Sequence, residues 1–208
     1  MNPLRINRMT LSPALWAAII PNGVGEYFDF SDNLELIAQA DYKTGTLTEA
    51  EQAELRAIAD YFAPEVVAEV GTYIGRSTRA LARGEGVKTL YTCDASNDIR
   101  VGDVYGVTIE QFPRQTSTQM FQALLERKVK PDLFYIDGRL SEGDCTLMAQ
   151  LNPDAVVVLD DFEGVEKGVF NAMILLATAY NQSLLVYPRQ NGKTALIVPY
   201  KMLQLVAQ

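Results

Sequence analysis

The sequence contains no histidine, and its only cysteines are Cys93 and Cys145. Two isolated cysteines are too few for a disulfide scaffold or a zinc site, so we expect both to be buried small side chains. Such cysteine usage is typical of a reducing compartment and predicts a cytoplasmic location. Without histidine, a proton acceptor in any active site must be a carboxylate, a lysine, a tyrosine or water.

The sequence also lacks a long apolar run and a cluster of positive charge. Residues 13–21 are mostly apolar, but they fall far short of the ~20 residues that a membrane span requires and lack the flanks of a cleaved signal. The net charge is -8 at pH 7, and the lysines and arginines are scattered along the chain. Because nucleic-acid phosphates are bound by clustered lysine and arginine, the sequence predicts neither a nucleic-acid partner nor a membrane partner.

The chain is long enough for one domain, because a protein of this length buries about 70% of the surface of its unfolded form. Residues 1–47 show no clean periodicity and contain several prolines, so we expect an irregular N-terminal extension with one short helix. Residues 48–208 form the predicted main domain. The extension carries aromatic side chains that can cover an active site, build a homodimer interface or pack onto the domain's own core: Trp16, Tyr27, Phe28 and Phe30.

Short apolar runs alternate with helical patterns in the main domain. The runs predict five parallel strands, at residues 66–70, 89–93, 106–111, 133–136 and 155–159. One helix is expected to begin after a cap at Thr48 and to end at Pro64. Four more are expected over residues 77–83, 117–127, 141–151 and 165–180. Continuously apolar strands are typical of a sheet that helices cover on both faces.

The C-terminal part of the chain changes character. Residues 184–187 and 194–198 are apolar runs that flank Asn191-Gly192, a good signal for an antiparallel hairpin. The predicted fold class is therefore α/β, with a doubly wound, mostly parallel sheet that ends in an antiparallel hairpin.

A glycine-containing loop follows the first predicted strand. Gly71 and Gly75 lack a Cβ, so the backbone can approach a ligand closely. Three residues with side chains separate them, unlike the G-x-G-x-x-G spacing that admits a pyrophosphate. Glu69 before the loop would repel a pyrophosphate but suits an ammonium group, and Asp94 after the second strand can accept from a ribose diol. This pattern favours S-adenosylmethionine over NAD; alternatively, the glycines only turn a strand into a helix and Asp94 caps the next element.

These segments resemble the class I S-adenosylmethionine-dependent methyltransferases. Residues 69–77 resemble motif I in the E-[VIL]-G-x-x-x-G-x-S form that is common in O-methyltransferases, and Asp94 matches the acid that holds the ribose. Residues 132–138 and 154–162 resemble the motifs of the fourth and fifth strands. The resemblance spans residues 48–199 and implies the methyltransferase-type Rossmann-like fold.

The resemblance also implies a set of contacts to S-adenosylmethionine. Glu69 is placed near its amino group, Ser77 near its carboxylate and Asp94 at its ribose. Residues just after the third strand, Ser117 among them, can contact the adenine or simply cap a helix. The full set of expected cofactor-binding residues is Glu69, Gly71, Thr72, Tyr73, Gly75, Ser77, Asp94, Ser117 and Asp137.

Three acids at the predicted ends of strands four and five repel one another unless a cation or bound donors offset their charge: Asp137, Asp160 and Asp161. In the metal-dependent O-methyltransferases, acids at these strand ends hold a cation, so the resemblance implies a site for Mg²⁺ or another divalent ion. The alternative is that Asp160 or Asp161 caps the following helix and Asp137 only orders a loop.

The expected catalytic residues are Asp137 and Arg139. Related enzymes commonly carry a lysine or histidine three residues after the fourth-strand acid, but Leu140 stands there in this chain. Arg139 stays protonated and is a poor base, although it can anchor an anionic group of a substrate. We expect Lys167 to be a solvated helix residue.

The sequence therefore predicts S-adenosylmethionine-dependent methyl transfer to a small molecule, at oxygen. Methyl transfer needs little beyond alignment of the nucleophile with the sulfonium, so the missing lysine or histidine does not exclude it. A catalytically silent protein of the same fold, which binds the cofactor as a binding or regulatory module, is the alternative.

Overall fold

The structure is a computed structural model that describes residues 8–20, 47–96, 101–163, 165–189 and 192–203. The helices are α1 (Arg8–Ile19), α2 (Glu49–Phe62), α3 (Arg76–Ala82), α4 (Ser117–Glu126), α5 (Glu142–Leu151), α6 (Gly168–Ala177) and α7 (Tyr200–Leu203). The strands are β1 (Val66–Val70), β2 (Thr89–Asp94), β3 (Thr108–Pro113), β4 (Leu133–Ile136), β5 (Val156–Leu159), β6 (Ser183–Val186) and β7 (Ala195–Pro199).

The seven strands form one sheet in the order β3-β2-β1-β4-β5-β7-β6. The first five strands pair in parallel, and β7 pairs antiparallel with both β5 and β6. Helices flank both faces, so the predicted α/β fold and the antiparallel pairing at its C-terminal end are confirmed. Asn191 of the predicted turn lies outside the described residues. The strand order reverses beside β1, and open sheets of this kind bind ligands at such a point.

Capping boxes define the starts of three helices. The side chains of Thr48, Thr116 and Ser141 each accept from the backbone N–H three residues later, and the side chain at that later position contacts the cap's own N–H. This reciprocal contact satisfies two backbone N–H groups that a helix start leaves without partners. The predicted cap at Thr48 is confirmed, and so is the helix that begins after Ser141.

Two apolar clusters lie on opposite faces of the sheet. One includes Phe121 of α4, Met148 of α5 and Leu175 of α6, and the other includes Leu55 of α2 and Leu81 of α3. This double coverage explains why strand residues of β4 and β5 are apolar without alternation.

The two cysteines serve this packing. Cys93 and Cys145 are 1% and 0% exposed, which confirms their predicted burial. Burial raises the pKa of the Cys93 thiol to about 12 and that of the Cys145 thiol to about 11, so both remain protonated and unreactive at neutral pH.

The N-terminal segment contributes one helix to the second cluster. Leu15, Trp16 and Ile19 of α1 are buried there, and the Trp16 indole N–H donates to the carbonyl of Tyr187 at 2.8 Å. Trp16 thus packs onto the domain's own core, whereas Tyr27, Phe28 and Phe30 lie outside the described residues. The division of the chain at residues 47 and 48 stays a prediction. Among the helices described here, none combines the length and apolarity needed to cross a membrane.

Two elements begin at least two residues later than expected. The third strand begins at Thr108 rather than at Gly106, because Val104 and Val107 close a turn around Gly106. The helix predicted from residue 165 begins at Gly168. A Cβ on Gly168 would lie 2.5 Å from the carbonyl oxygen of Asp160, so the chain folds back tightly before this helix.

Candidate active site

The predicted site residues meet at the carboxyl edge of the sheet. Gly71 follows β1, Asp94 ends β2, Asp137 follows β4 and Asp160 follows β5. A cavity of about 620 Å³ opens at this edge, and its lining includes Gly71, Asp94, Ser117, Asp137 and Arg139. The edge predicted from the sequence is therefore present as one concave surface.

The glycine loop approaches the end of β4 closely. Gly71 has a φ of +98°, and a Cβ at this position would lie 3.1 Å from the backbone carbonyl oxygen of Asp137. Gly75, with a φ of +78°, starts α3. Tyr73 between them also has a positive φ, 46°, which is uncommon for a residue with a side chain. The loop is thus held in a conformation that only its glycines adopt without cost.

The side chain of Glu69 lies behind the loop. It is fully buried, and its carboxylate accepts from the hydroxyls of Ser77 and Thr78, each at 2.5 Å. Burial raises the pKa of Glu69, and the two hydroxyl donors oppose that shift. This arrangement departs from the expected contacts of Glu69 with a ligand amino group and of Ser77 with a ligand carboxylate. Their hydrogen bond instead joins β1 to α3, across the loop.

Thr72 and Asp94 tie the same loop to β2. The hydroxyl of Thr72 shares a hydrogen bond with the hydroxyl of Thr92. Asp94 accepts at Oδ2 from the N–H of Tyr73 at 2.7 Å and at Oδ1 from the N–H and hydroxyl of Ser96. A carboxylate has about four acceptor sites. Asp94 therefore retains capacity for a ligand hydroxyl, and it is one of the residues that line the cavity.

The far wall of the cavity comes from the start of α4. Thr116 is the N-cap, as the alternative interpretation expected, and Thr118 donates to Asp144 Oδ1 at 2.7 Å. Ser117 lines the cavity. Contact of Ser117 with an adenine stays a prediction.

The three acids lie together, and a lysine lies among them. One oxygen of each of Asp137, Asp160 and Asp161 falls within 4.8 Å of the others. Lys167 Nζ donates to Asp137 Oδ1 and, at 2.6 Å, to Asp161 Oδ2. The prediction that Lys167 is a solvated helix residue is wrong, because it precedes α6 and its side chain is only 27% exposed.

The acids are not helix caps. The N-cap position of α6 is Lys167, so the alternative role of Asp160 or Asp161 as the cap is wrong. Asp160 accepts instead from the buried hydroxyl of Tyr135 at 3.1 Å. Tyr135 lies within the segment that resembles the fourth-strand motif, but its contact with Asp160 was not predicted from the sequence, because the two side chains meet only through the pairing of β4 with β5.

Burial and mutual repulsion change the proton affinities of this cluster. Burial, followed by the charge of Asp160, raises the pKa of Asp137 to about 7, although Lys167 opposes the shift. Burial and the charge of Asp161 raise the pKa of Asp160 to about 6. Burial alone would lower the pKa of Lys167, but its contacts with Asp137 and Asp161 outweigh that effect and raise it. The lysine is therefore an ammonium at neutral pH.

Three carboxylates are a donor set that Mg²⁺ prefers, yet two of them already converge on a cation. Mg²⁺ binds oxygen at about 2.1 Å. Because Lys167 Nζ is 2.6 Å from Asp161 Oδ2, an ion on the same oxygen would lie less than about 5 Å from the ammonium. As arranged here, the residues do not fit a divalent ion unless Lys167 moves away.

Arg139 faces the cavity from the loop after β4. Its guanidinium lies over the ring of Phe170, 4.6 Å from the centroid. Asn171 fixes this loop: it accepts from the N–H of Leu140 at 2.9 Å and donates to the carbonyl of Gly138 at 2.8 Å. The sequence carries no signal for Asn171, because a helix asparagine that binds a distant loop has no local pattern.

Solved methyltransferase structures share this architecture. An O-methyltransferase from Bacillus cereus in complex with S-adenosylhomocysteine (SAH) has a TM-score of 0.56 and 16% identity, over 92% of this chain and 99% of that chain. An SAH-bound methyltransferase from Podospora anserina has a TM-score of 0.56 and 12% identity, over 95% and 97%. The O-methyltransferase TomG from Streptomyces achromogenes, involved in tomaymycin synthesis and in complex with S-adenosylmethionine, has a TM-score of 0.57 and 15% identity, over 91% and 96%.

No protein-family model matches the chain, and no curated protein matches it by sequence. The identities to the solved structures are low, so the likeness concerns the arrangement of the backbone. The chain has the fold of these methyltransferases.

Proposed function

We propose that this protein transfers a methyl group from S-adenosylmethionine to a hydroxyl oxygen of a small molecule. The observation that carries the proposal is the shared cavity: the glycine loop and Asp94 form one side of it, and Asp137 and Arg139 form another. The solved structures of the same fold that hold S-adenosylmethionine or SAH support it.

The cofactor supplies a methyl group activated by a positively charged sulfur. In the proposal, the backbone from Gly71 to Gly75 lies against its amino-acid end, and Asp94 accepts from its ribose. Ser117 borders its adenine. Glu69 acts indirectly, because its carboxylate holds Ser77 and Thr78 and so fixes the path of the loop.

Asp137 is the proposed proton acceptor for the substrate hydroxyl. It lies at the cavity, and burial brings its pKa to about 7, close to the value that suits a general base at neutral pH. Lys167 is excluded as a base, since its neighbours keep it protonated. Its ammonium holds Asp137 in place.

Arg139 lines the cavity on the side proposed for the acceptor, and its guanidinium lies over the ring of Phe170. The guanidinium cannot lose its proton, and it presents a permanent positive charge beside an aromatic face. We infer that the acceptor carries a negatively charged group, such as a carboxylate or a phosphate. A cytoplasmic location and a homodimer remain predictions from the sequence.

The test is a transfer assay on the purified protein. It is incubated with S-adenosylmethionine and a panel of small phenols, catechols and hydroxy acids, and SAH is measured by mass spectrometry. We expect SAH to form with at least one hydroxyl acceptor and the rate to fall by about 100-fold in Asp137→Asn.

Asp154→Asn is the matched control. Asp154 lies before β5, at the opposite edge of the sheet, and pairs with Lys201 on the surface. Cofactor binding without SAH formation across the whole panel would favour the catalytically silent alternative. Absence of cofactor binding would contradict both.

A further inference from the structure

The segment between β5 and α6 turns back on itself and brings Lys167 to the site. Asp161 has a φ of +51°, in the left-handed region that residues with side chains seldom adopt. Gly168 permits the close return, because any Cβ there would collide with the backbone of Asp160 and Asp161. The strained turn directs Asp161 and Lys167 toward each other, and such strain at a polar cluster points to a role beyond the fold.

The ammonium lies where a shared cation would lie. Lys167 Nζ contacts both Asp137 and Asp161, which come from the ends of different strands. All three side chains are partly buried, so water weakens their attraction less than it would on an open surface. Asp160 is not part of this ion pair and accepts from Tyr135.

We propose that the ammonium of Lys167 takes the place of a divalent cation between Asp137 and Asp161, so that this site needs no metal. Lys167 is then a positioning residue that orients Asp137 at the cavity. The inference goes beyond the proposed methyl transfer and does not depend on it, since metal binding can be measured on the protein alone.

The experiment removes the lysine and asks whether a metal site appears. Mn²⁺ is titrated into the cofactor-free wild type and Lys167→Met, and free Mn²⁺ is followed by electron paramagnetic resonance. We expect no saturable binding to the wild type at millimolar Mn²⁺. In Lys167→Met we expect one Mn²⁺ site per chain, with an affinity at least tenfold higher than any binding to the wild type. Adding Asp161→Asn to Lys167→Met should remove the new site.

Lys193→Met is the matched control. Lys193 is more exposed and pairs with Glu163 at 3.2 Å, so its loss changes the net charge by the same amount without opening the acid cluster. Its Mn²⁺ titration should match that of the wild type. A gain of binding equal to that of Lys167→Met would overturn the proposal, because it would come from net charge alone.

If circular dichroism shows that Lys167→Met is unfolded, the wild type alone decides whether the site binds a metal. Saturable Mn²⁺ binding to the wild type that disappears in Asp161→Asn would overturn the proposal, and no saturable binding would support it. S-adenosylmethionine is titrated into the same samples. A protein that binds neither Mn²⁺ nor the cofactor upholds this inference while the proposed function fails.

Discussion

The backbone N–H of Tyr73 donates to Asp94 Oδ2 at 2.7 Å. This bond joins the glycine loop after β1 to the end of β2, the two segments on which the cofactor assignment rests. Tyr73 makes it from a left-handed conformation, so Asp94 holds the loop as well as lining the cavity.

Asp94→Ala should weaken the binding of S-adenosylmethionine by about 10- to 100-fold, because hydrogen bonds to charged groups contribute about 1.5–3 kcal/mol each. The variant loses both the acceptor for the ribose and the bond that holds the loop. Calorimetric titration measures the change. Asp154→Ala, at the opposite edge of the sheet, should bind like the wild type, and equal affinities in all three proteins would contradict the role of Asp94.

Gly71→Ala tests the close approach of the loop to β4. A side chain at a positive φ costs about 1–2 kcal/mol, and here a Cβ would also crowd the carbonyl of Asp137 at 3.1 Å. Gly106→Ala is the control, since Gly106 has a φ of +79° but open space around a Cβ. We expect urea denaturation to show the larger loss of stability in Gly71→Ala, and only that variant to lose cofactor affinity. Equal losses of stability in Gly71→Ala and Gly106→Ala would mean that the positive φ alone destabilises them and that the contact with Asp137 adds nothing.

Glu69→Gln should change how stability depends on pH. Burial raises the pKa of Glu69 above its ordinary value of 4.5, so the folded protein holds this proton more tightly than the unfolded chain. That stabilising contribution is complete below pH 4.5 and is lost as the pH rises through the higher folded pKa. The free energy of unfolding of the wild type should therefore fall, relative to that of the variant, as the pH rises from 4.5 through the folded pKa of Glu69.

Chemical denaturation between pH 4 and pH 8 measures the difference between the two proteins. Ser77→Ala is a second check: it removes a donor that lowers the pKa of Glu69, so its stability should decline up to a higher pH than that of the wild type. Parallel pH profiles in the wild type and Glu69→Gln would show that the buried carboxyl does not titrate as described.

Trp16→Ala should destabilise the protein by about 3–5 kcal/mol, because it deletes a large buried side chain. Trp16→Phe keeps most of the apolar contact but loses the hydrogen bond to the carbonyl of Tyr187, which contributes about 0.5–1.5 kcal/mol. Urea denaturation followed by circular dichroism gives both values. An unchanged midpoint in Trp16→Ala would mean that α1 is not docked in solution.

Much of the fold was predictable because its signals are local. The apolar runs of β4 and β5 reflect a sheet covered on both faces, and the cap at Thr48 is a contact within one turn of helix. The edge on which Asp94 and Asp137 meet follows from parallel strands, whose carboxyl ends lie together.

The contacts of the acid cluster were not predictable in the same way. Lys167 reaches Asp137 only because Asp161 adopts a left-handed conformation and Gly168 admits a tight return, and neither feature has a pattern in the sequence. The position of Glu69 before the glycines predicts contact with a ligand amino group. The hydroxyls of Ser77 and Thr78, in the first turn of α3, enclose it instead.

The most direct test of the central claim is calorimetric titration of the wild-type protein with S-adenosylmethionine and with SAH. The account predicts one binding site per chain for each, with dissociation constants in the micromolar range. No measurable binding of either compound to a folded protein would contradict the cofactor site and leave the fold without the proposed activity.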